Sequence, residues 1–403
     1  MLGTIKKIPA EQLRVGMFVH DLNCGWMAHP FLTSQFKVKD PDTVMRILEA
    51  GIREIYIDTR QGTDLQDAPT LEEAHAELEQ ELQAIVAADE TPIPAAALAE
   101  ELARARKLHG ETQKLVRGMM SDVRLGKQIE VEQCEPLVDG IFNSIFRNPD
   151  ALLPLSQVKT RDEYTFQHSV SVAALAVAFG RALKLPRAEI REFALGALLH
   201  DVGKARVPDG ILNKPGKLTD AEFIVMKTHA EHGAEVLAQA RGKISKIALD
   251  AAGEHHERYD GTGYPRGLKG NEISTHGQMM AIVDVYDAIT SVRIYHKGMP
   301  PTDALRKLFE WGKFHFNPVL VQAFIKSIGI YPAGSLVRLE SGQLGIVKEI
   351  NPDKLLQPVV KVIFHVGKNH YLTPKLVDLA KSADKIVSNE SYEKWGIDQA
   401  RWM

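Results

Sequence analysis

Five histidines and two aspartates stand in apolar, helix-like settings, and that combination of residue types points to metal-ion chemistry. His168 lies in DEYTFQHSVSVAAL, His200 and Asp201 in LGALLHDVGK, and His229 in MKTHAEHG. His255 and His256 are adjacent in GEHHERYDGTGYP, and Asp284 lies in IVDVYDAIT. A buried imidazole or carboxylate without a partner costs several kcal/mol, and a shared cation removes that cost from all of them together. Polar ligands on the inner faces and ends of apolar helices are how a bundle builds a metal site. Neighbours on a helix point about 100° apart. The pairs His200-Asp201 and His255-His256 therefore address one ion only at a helix end, or else serve more than one ion. Asp201 could bridge two ions through its two oxygens. The donor set contains imidazole and carboxylate but no thiolate, which favours iron, manganese, nickel, cobalt or zinc over magnesium or calcium. Single histidines elsewhere (His232, His276, His315 and His365, with His296 held in reserve) read as ordinary core or surface residues.

These residues need helices to position them, and residues 128 to 330 read as helical almost throughout. Val170, Ala173, Ala174, Val177 and Ala178 make one apolar face, and Phe193, Ala197 and Leu198 begin another. Thr219 with Glu222 forms a capping-box pair ahead of the next helix. Upstream, Asp42–Ala50 has helical spacing stopped by Gly51, and Ile52–Ile57 alternates like a half-buried strand. Residues 63–93 read as a solvated helix or linker, and an alanine- and leucine-rich stretch over 95–120 reads as a helical connector. After residue 331 the period switches to that of strands, at Leu336–Leu339, Gly345–Val347 and Val359–Phe364. The last thirty residues are polar and give no pattern. The expected organisation is residues 1–125 as a small α/β domain with a helical connector, 126–330 as an all-helical catalytic bundle, and 331–403 as a small β-rich appendage. The fold class is thus mainly α.

Bulk properties narrow the function further. The chain has 403 residues, 44% hydrophobic and 25% charged, with a formal net charge of -3. That balance argues against coating duplex nucleic acid. Two distant cysteines, Cys24 and Cys134, fit a reducing compartment and no disulfide framework. The N-terminal residues lack the apolar core of a secretory signal, and no run approaches the roughly 20 apolar residues of a membrane span. A cytoplasmic protein is expected.

Residues from about 140 to 330 resemble the HD-GYP domain of the HD phosphohydrolase superfamily. The resemblance runs through YTFQHSVSVA, LLHDVGKARVPDGILNKPGKLTDAE, GEHHERYDGTGYPRGL and DVYDAITSVRIYHKG, in family-like order and spacing. IPAEQLRVGMFVHDL onward is similar to the DUF3391-like domain of unknown function that often precedes HD-GYP. The resemblance implies hydrolysis of cyclic di-GMP to linear pGpG and on to GMP, at a metal centre. It implies one ion on His168, His200, Asp201 and Asp284, and a second on Asp201, His229, His255 and His256. It makes Asp201 and Lys204 the residues at the chemistry. Lys204, Arg293, Tyr264 and His296 become substrate-binding residues, and the GYP loop a contact for GGDEF-domain diguanylate cyclases.

The sequence also departs from the family. Members that bind a third ion carry a glutamate where this chain has Tyr164, so two ions are expected, iron or manganese first and nickel, cobalt or zinc as alternatives. His296 stands where many members have a second basic residue, which leaves hybrid cyclic GMP-AMP as an alternative substrate. A catalytically silent sensor of cyclic di-GMP is the alternative from a different class. All proposed ligands lie between His168 and Asp284, so residues before 126 are expected to be dispensable for chemistry.

Overall fold

The computed structural model describes residues 5–24, 31, 35–65, 67–74, 98–157, 164–214, 216–240, 242, 244–291, 298–351 and 354–402. Strands β1 (Ile5–Pro9), β2 (Phe18–Asp21), β3 (Phe36–Lys37) and β4 (Glu54–Asp58) form one antiparallel sheet in the order β1-β4-β2-β3, joined by helix α1 (Pro41–Glu49). Ile8, Val19, Ile47, Ile55 and Ile57 fill its small core. Helix α1 begins where its sequence says it should. The Asp40 carboxylate accepts the Thr43 N–H at 2.7 Å, and Pro41 occupies the first helical position, where no N–H is needed. Gly51, with φ +74°, ends it. The expected helix and strand over residues 42–57 are both present. Strand β1 escapes pattern reading because IKKIP offers too few apolar positions to show an alternation.

The centre of the molecule is helical: α2 (Leu98–Arg124), α3 (Glu135–Arg147), α4 (Pro149–Gln157), α5 (Tyr164–Ala182), α6 (Arg187–Leu199), α7 (Asp220–Ala238), α8 (Lys246–Glu254), α9 (Thr275–Thr290), α10 (Pro301–Trp311) and α11 (Pro318–Ile328). The capping box at Thr219 and Glu222 forms as expected and starts α7. Helix α2 is more than the connector its composition suggests. Ala105, Val116, Met119 and Val123 belong to the same core as Ile141, Val177 and Phe193. Its Glu101, fully buried, takes two N–H bonds from Arg147 of α3, at 2.7 and 2.8 Å.

Strands β5 (Leu336–Leu339), β6 (Gln343–Glu349), β7 (Val359–His365), β8 (His370–Asp378) and β9 (Ile386–Glu390) make a second antiparallel sheet, ordered β8-β7-β6-β5-β9. Val337, Val347 and Val360 face the helical core, while Leu336, Leu344, Ile346 and Ile363 face a small second core with Ile397. Strand β9 and the end of β8 lie in the polar stretch that gives no sequence pattern. Most of β8 is exposed, so its ladder with β7, and not burial, defines it. No described helix is long and apolar enough to cross a membrane.

Asp150 of α4 ties this sheet to the helices by accepting the Ile350 N–H at 3.0 Å, and its other oxygen is buried without a partner. Burial pushes its carboxyl up to about 7 from 3.8. An acid whose folded value lies above its unfolded one holds its proton more tightly in the fold, so stability falls as pH rises from about 4 to about 7. Asp150→Asn cannot ionise and keeps an acceptor for Ile350. Between pH 5 and pH 8 its stability should therefore gain on the wild type's by roughly 2–4 kcal/mol. Thermal melts of both proteins at the two pH values check this, and a constant gap contradicts it.

Candidate metal centre

Three helix interiors and two helix ends converge on one point. His168 comes from the second turn of α5, His229 from within α7 and Asp284 from within α9. His200 closes α6, and Asp201 opens the tight turn Val202–Arg206. His255 closes α8, with His256 just beyond it. The adjacent pairs thus sit at helix ends, the geometry that lets neighbours face the same place. Gly203 makes the approach possible. A Cβ there would lie 2.0 Å from the His229 carbonyl oxygen, so only glycine lets the turn press against α7.

Three of the histidines are held alike. His200 Nδ1–H donates to Ala197 O at 2.8 Å, His229 Nδ1–H to Met226 O at 2.7 Å, and His255 Nδ1–H to Ala252 O at 2.7 Å. A carbonyl can only accept, so each ring carries its proton on Nδ1 and turns a bare Nε2 lone pair to the centre. The Nε2 of His200 is buried with no hydrogen-bond partner. The Nε2 of His229 lies 3.2 Å from that of His255 and 3.1 Å from that of His256. Lone pairs meeting at such distances, in a site where unpaired polar atoms are costly, are the environment a cation satisfies.

The ligand atoms fall into two groups, His168 with His200 and Asp201, and His229 with His255 and His256. Asp201 lies between them. Its Oδ2 is 3.5 Å from His200 Nε2 and 3.7 Å from His168 Nε2, and its Oδ1 is 3.6 Å from His229 Nε2. Asp284 also spans the groups, which sequence reasoning does not anticipate. Its Oδ1 is 3.0 Å from His168 Nε2, and its Oδ2 is 3.8 Å from His256 Nδ1. Burial would push both carboxyls up, but neighbouring cations win. Lys204 for Asp201, and the hydrogen bond from His168 for Asp284, hold them well below the usual carboxylate range. Burial lowers His200 to about 4 and His229 to about 3, and lowers His255 and His256 as well. These four rings are neutral at pH 7, as ligands must be.

His168 differs. Burial opposes its protonation, yet bonds to Asp284 and Asp287 raise it. Asp287, buried on α9, sits 2.6 Å from His168 Nδ1. Sequence reading overlooks it, although its spacing of three from Asp284 puts both carboxylates on one face of an apolar helix. A carboxylate behind a metal-binding histidine fixes the ring and raises its basicity. Asp287→Asn should weaken metal affinity by about 10- to 100-fold while leaving every ligand in place. Competition with a chelator measures this, and unchanged affinity contradicts it.

Of the substrate residues expected from the sequence, Lys204 lies in the site, its Nζ 2.5 Å from Asp201 Oδ2. Tyr264 packs on His256 with ring centroids 4.7 Å apart. Arg293 and His296 fall outside the described residues, as does the Tyr164 side chain. A cavity of about 510 Å³ opens over the centre and reaches His255, His256 and Asp284. Its walls are not confined to the helical bundle, because Arg46, Glu49 and Ala50 also line it. Lys227, another lining residue that sequence reading overlooks, holds its ammonium 5.2 Å from the Tyr264 ring. His315, expected to be an ordinary core residue, donates to Gly51 O at 3.1 Å and so ties the N-terminal segment to this region.

A domain of unknown function (DUF3391) matches residues 5–134, and an HD domain matches residues 153–320. The chain is 43% identical over 396 residues to the cyclic di-GMP phosphodiesterase PA4108 of Pseudomonas aeruginosa, covering 98% of this chain and 94% of that one. A cyclic di-GMP phosphodiesterase of Vibrio cholerae is 46% identical over 134 residues, covering 32% of this chain and 27% of that one. A 3'3'-cGAMP-specific phosphodiesterase of the same organism is 34% identical over 169 residues, covering 42% of this chain and 32% of that one.

Proposed function

The chain belongs to the HD-GYP family of HD-domain phosphodiesterases, and from that premise we propose that it hydrolyses cyclic di-GMP to linear pGpG, with GMP as the product of a second cleavage. The observation that carries this reading is the convergence of seven histidine and aspartate side chains, three of which, His255, His256 and Asp284, line a cavity open to solvent. His168, His200, Asp201 and Asp284 would hold one divalent ion, and Asp201, His229, His255 and His256 a second. The all-N,O donor set suits iron or manganese, with nickel, cobalt or zinc as alternatives. When bound, such a pair supplies Lewis acidity at the phosphoryl oxygens and activates water at neutral pH.

The protein's own groups do the rest. The four neutral rings and the depressed carboxyls of Asp201 and Asp284 are already in ligand form, and only His168, held between Asp284 and Asp287, has an Nε2 proton to give up to an ion. Lys204, whose side chain is one-fifth exposed, can leave Asp201 for a phosphate oxygen of the substrate. Tyr264 fixes His256 and gives the cavity an aromatic wall on which a base can rest. A GGDEF-domain diguanylate cyclase, the partner the resemblance implies, would meet the exposed edge of the GYP loop at residues 265–267.

Similarity over nearly the whole chain to a cyclic di-GMP enzyme, against a match of under half the chain to a cGAMP enzyme, favours cyclic di-GMP. Metal-loaded protein incubated separately with each dinucleotide, with products separated by chromatography, tests this. Faster loss of cyclic di-GMP, stopped by chelation, is expected. Preference for the hybrid dinucleotide, or binding of cyclic di-GMP without turnover, sinks the reading.

A further inference from the structure

The wall formed by α1 is fixed in place. Ala50 O receives Arg258 Nη1 at 3.4 Å, and Gly51 O receives His315 Nε2 at 3.1 Å, so side chains flanking the metal centre cap the end of α1. Behind it, the Tyr56 hydroxyl donates to buried Glu310 at 2.8 Å, and Lys307 reaches Asp21 at 3.1 Å and Asn23 at 2.7 Å. On this wall Arg46 and Glu49 stand three residues apart, hence on one helical face, and both line the cavity. The Arg46 guanidinium lies 5.0 Å from the centre of the Phe31 ring. Stacking of this kind orients the planar fork and leaves its N–H edges open. Among the described residues the guanidinium has no hydrogen bond or ion pair.

We propose that Arg46 reads a guanine of the cyclic dinucleotide. The inference rests on the functional reading above and adds a base-specific subsite supplied by the N-terminal segment. The bases of a cyclic dinucleotide project outward from its sugar–phosphate ring, so with one phosphate at the floor of the cavity, its walls meet bases. Guanine carries acceptors at N7 and O6, which match the two donors of a guanidinium fork. Its N1–H and N2–H₂ are donors, and Glu49 offers them a carboxylate. Adenine presents an amino group where guanine has O6, and a guanidinium has no acceptor for it. The subsite therefore favours guanine by chemistry and not by charge.

The test uses the full chain, measuring kcat and KM for cyclic di-GMP and the inhibition constant of cyclic di-AMP, which has the same charge and no guanine. Arg46→Ala should raise KM for cyclic di-GMP by about 5- to 150-fold, the value of a bidentate base contact, with a smaller change in kcat. The inhibition constant of cyclic di-AMP should stay nearly unchanged. Arg46→Lys, which keeps the charge and loses the fork, should resemble Arg46→Ala. The inference is overturned if KM is unaltered in Arg46→Ala, if KM and the inhibition constant rise together, or if lysine restores the wild-type KM. Wild-type protein inactive on cyclic di-GMP would overturn the functional reading itself, and this inference with it.

Discussion

Asp201→Ala should abolish turnover and strip the metal from the purified protein. Asp201 is 2% exposed and touches both ligand groups, with Oδ2 beside His168 and His200 and Oδ1 beside His229. Removing it takes away a ligand that both proposed ions share. The loss should exceed the roughly 10- to 100-fold that an outer partner of a ligand is worth. Asp284 also reaches both groups, so residual metal in Asp201→Ala would identify Asp284 as a sufficient bridge. Lys204→Ala makes the sharp contrast. An ammonium cannot ligate a cation, so the metal should stay. What goes is a charge-assisted contact to a phosphate oxygen, about 1.5–3 kcal/mol. That corresponds to a fall of about 10- to 150-fold in kcat/KM. A contact made equally to substrate and transition state appears in KM, and one that strengthens with developing charge appears in kcat. Equal metal loss in both variants would show that Lys204 supports the ligands and not the substrate.

A chain beginning at residue 126 should fail to fold stably. That cut removes α2, and with it Val116, Met119 and Val123 from the core of the catalytic helices. It also takes Glu101 from Arg147, breaking a two-bond ion pair whose carboxylate is fully buried. Each deleted core side chain of this size costs about 2–5 kcal/mol, and stability as a whole is about 5–15 kcal/mol, so the sum exceeds what the remainder can bear. Circular dichroism and thermal melting report the result. A chain starting at 126 that is soluble and melts cooperatively near the full-length temperature contradicts it. This reverses the expectation drawn from the ligand positions alone, which lie between His168 and Asp284 and say nothing of what packs beneath them.

The difference shows what a single sequence reveals. Histidine and aspartate inside apolar runs break the pattern of their surroundings, so His168, His200, Asp201, His229, His255, His256 and Asp284 are visible without a structure. Capping chemistry is equally local, and Thr219 with Glu222 marks the start of α7 from four letters. Asp287 is harder to see. An aspartate three residues after another also suits a solvated helix face, and only the position of His168, 119 residues upstream, gives it a task. Arg46 and Glu49 are invisible for the same reason. They occupy the polar face of an amphipathic helix, and their place in the cavity depends on Ala50 and Gly51 meeting Arg258 and His315 more than 200 residues away. Strand β9 is defined by its ladder with β5 and carries too little apolar alternation to announce itself. Patterns with a period or a local partner are legible, while contacts between distant segments are not.

The central claim is that these side chains form a two-ion centre. The metal-to-protein ratio after anaerobic purification, measured alongside turnover of cyclic di-GMP, tests it most directly. The arrangement of the two ligand groups around Asp201 and Asp284 predicts two ions per chain, with activity rising and falling with occupancy. A ratio near three, or full activity in protein freed of metal, would contradict it.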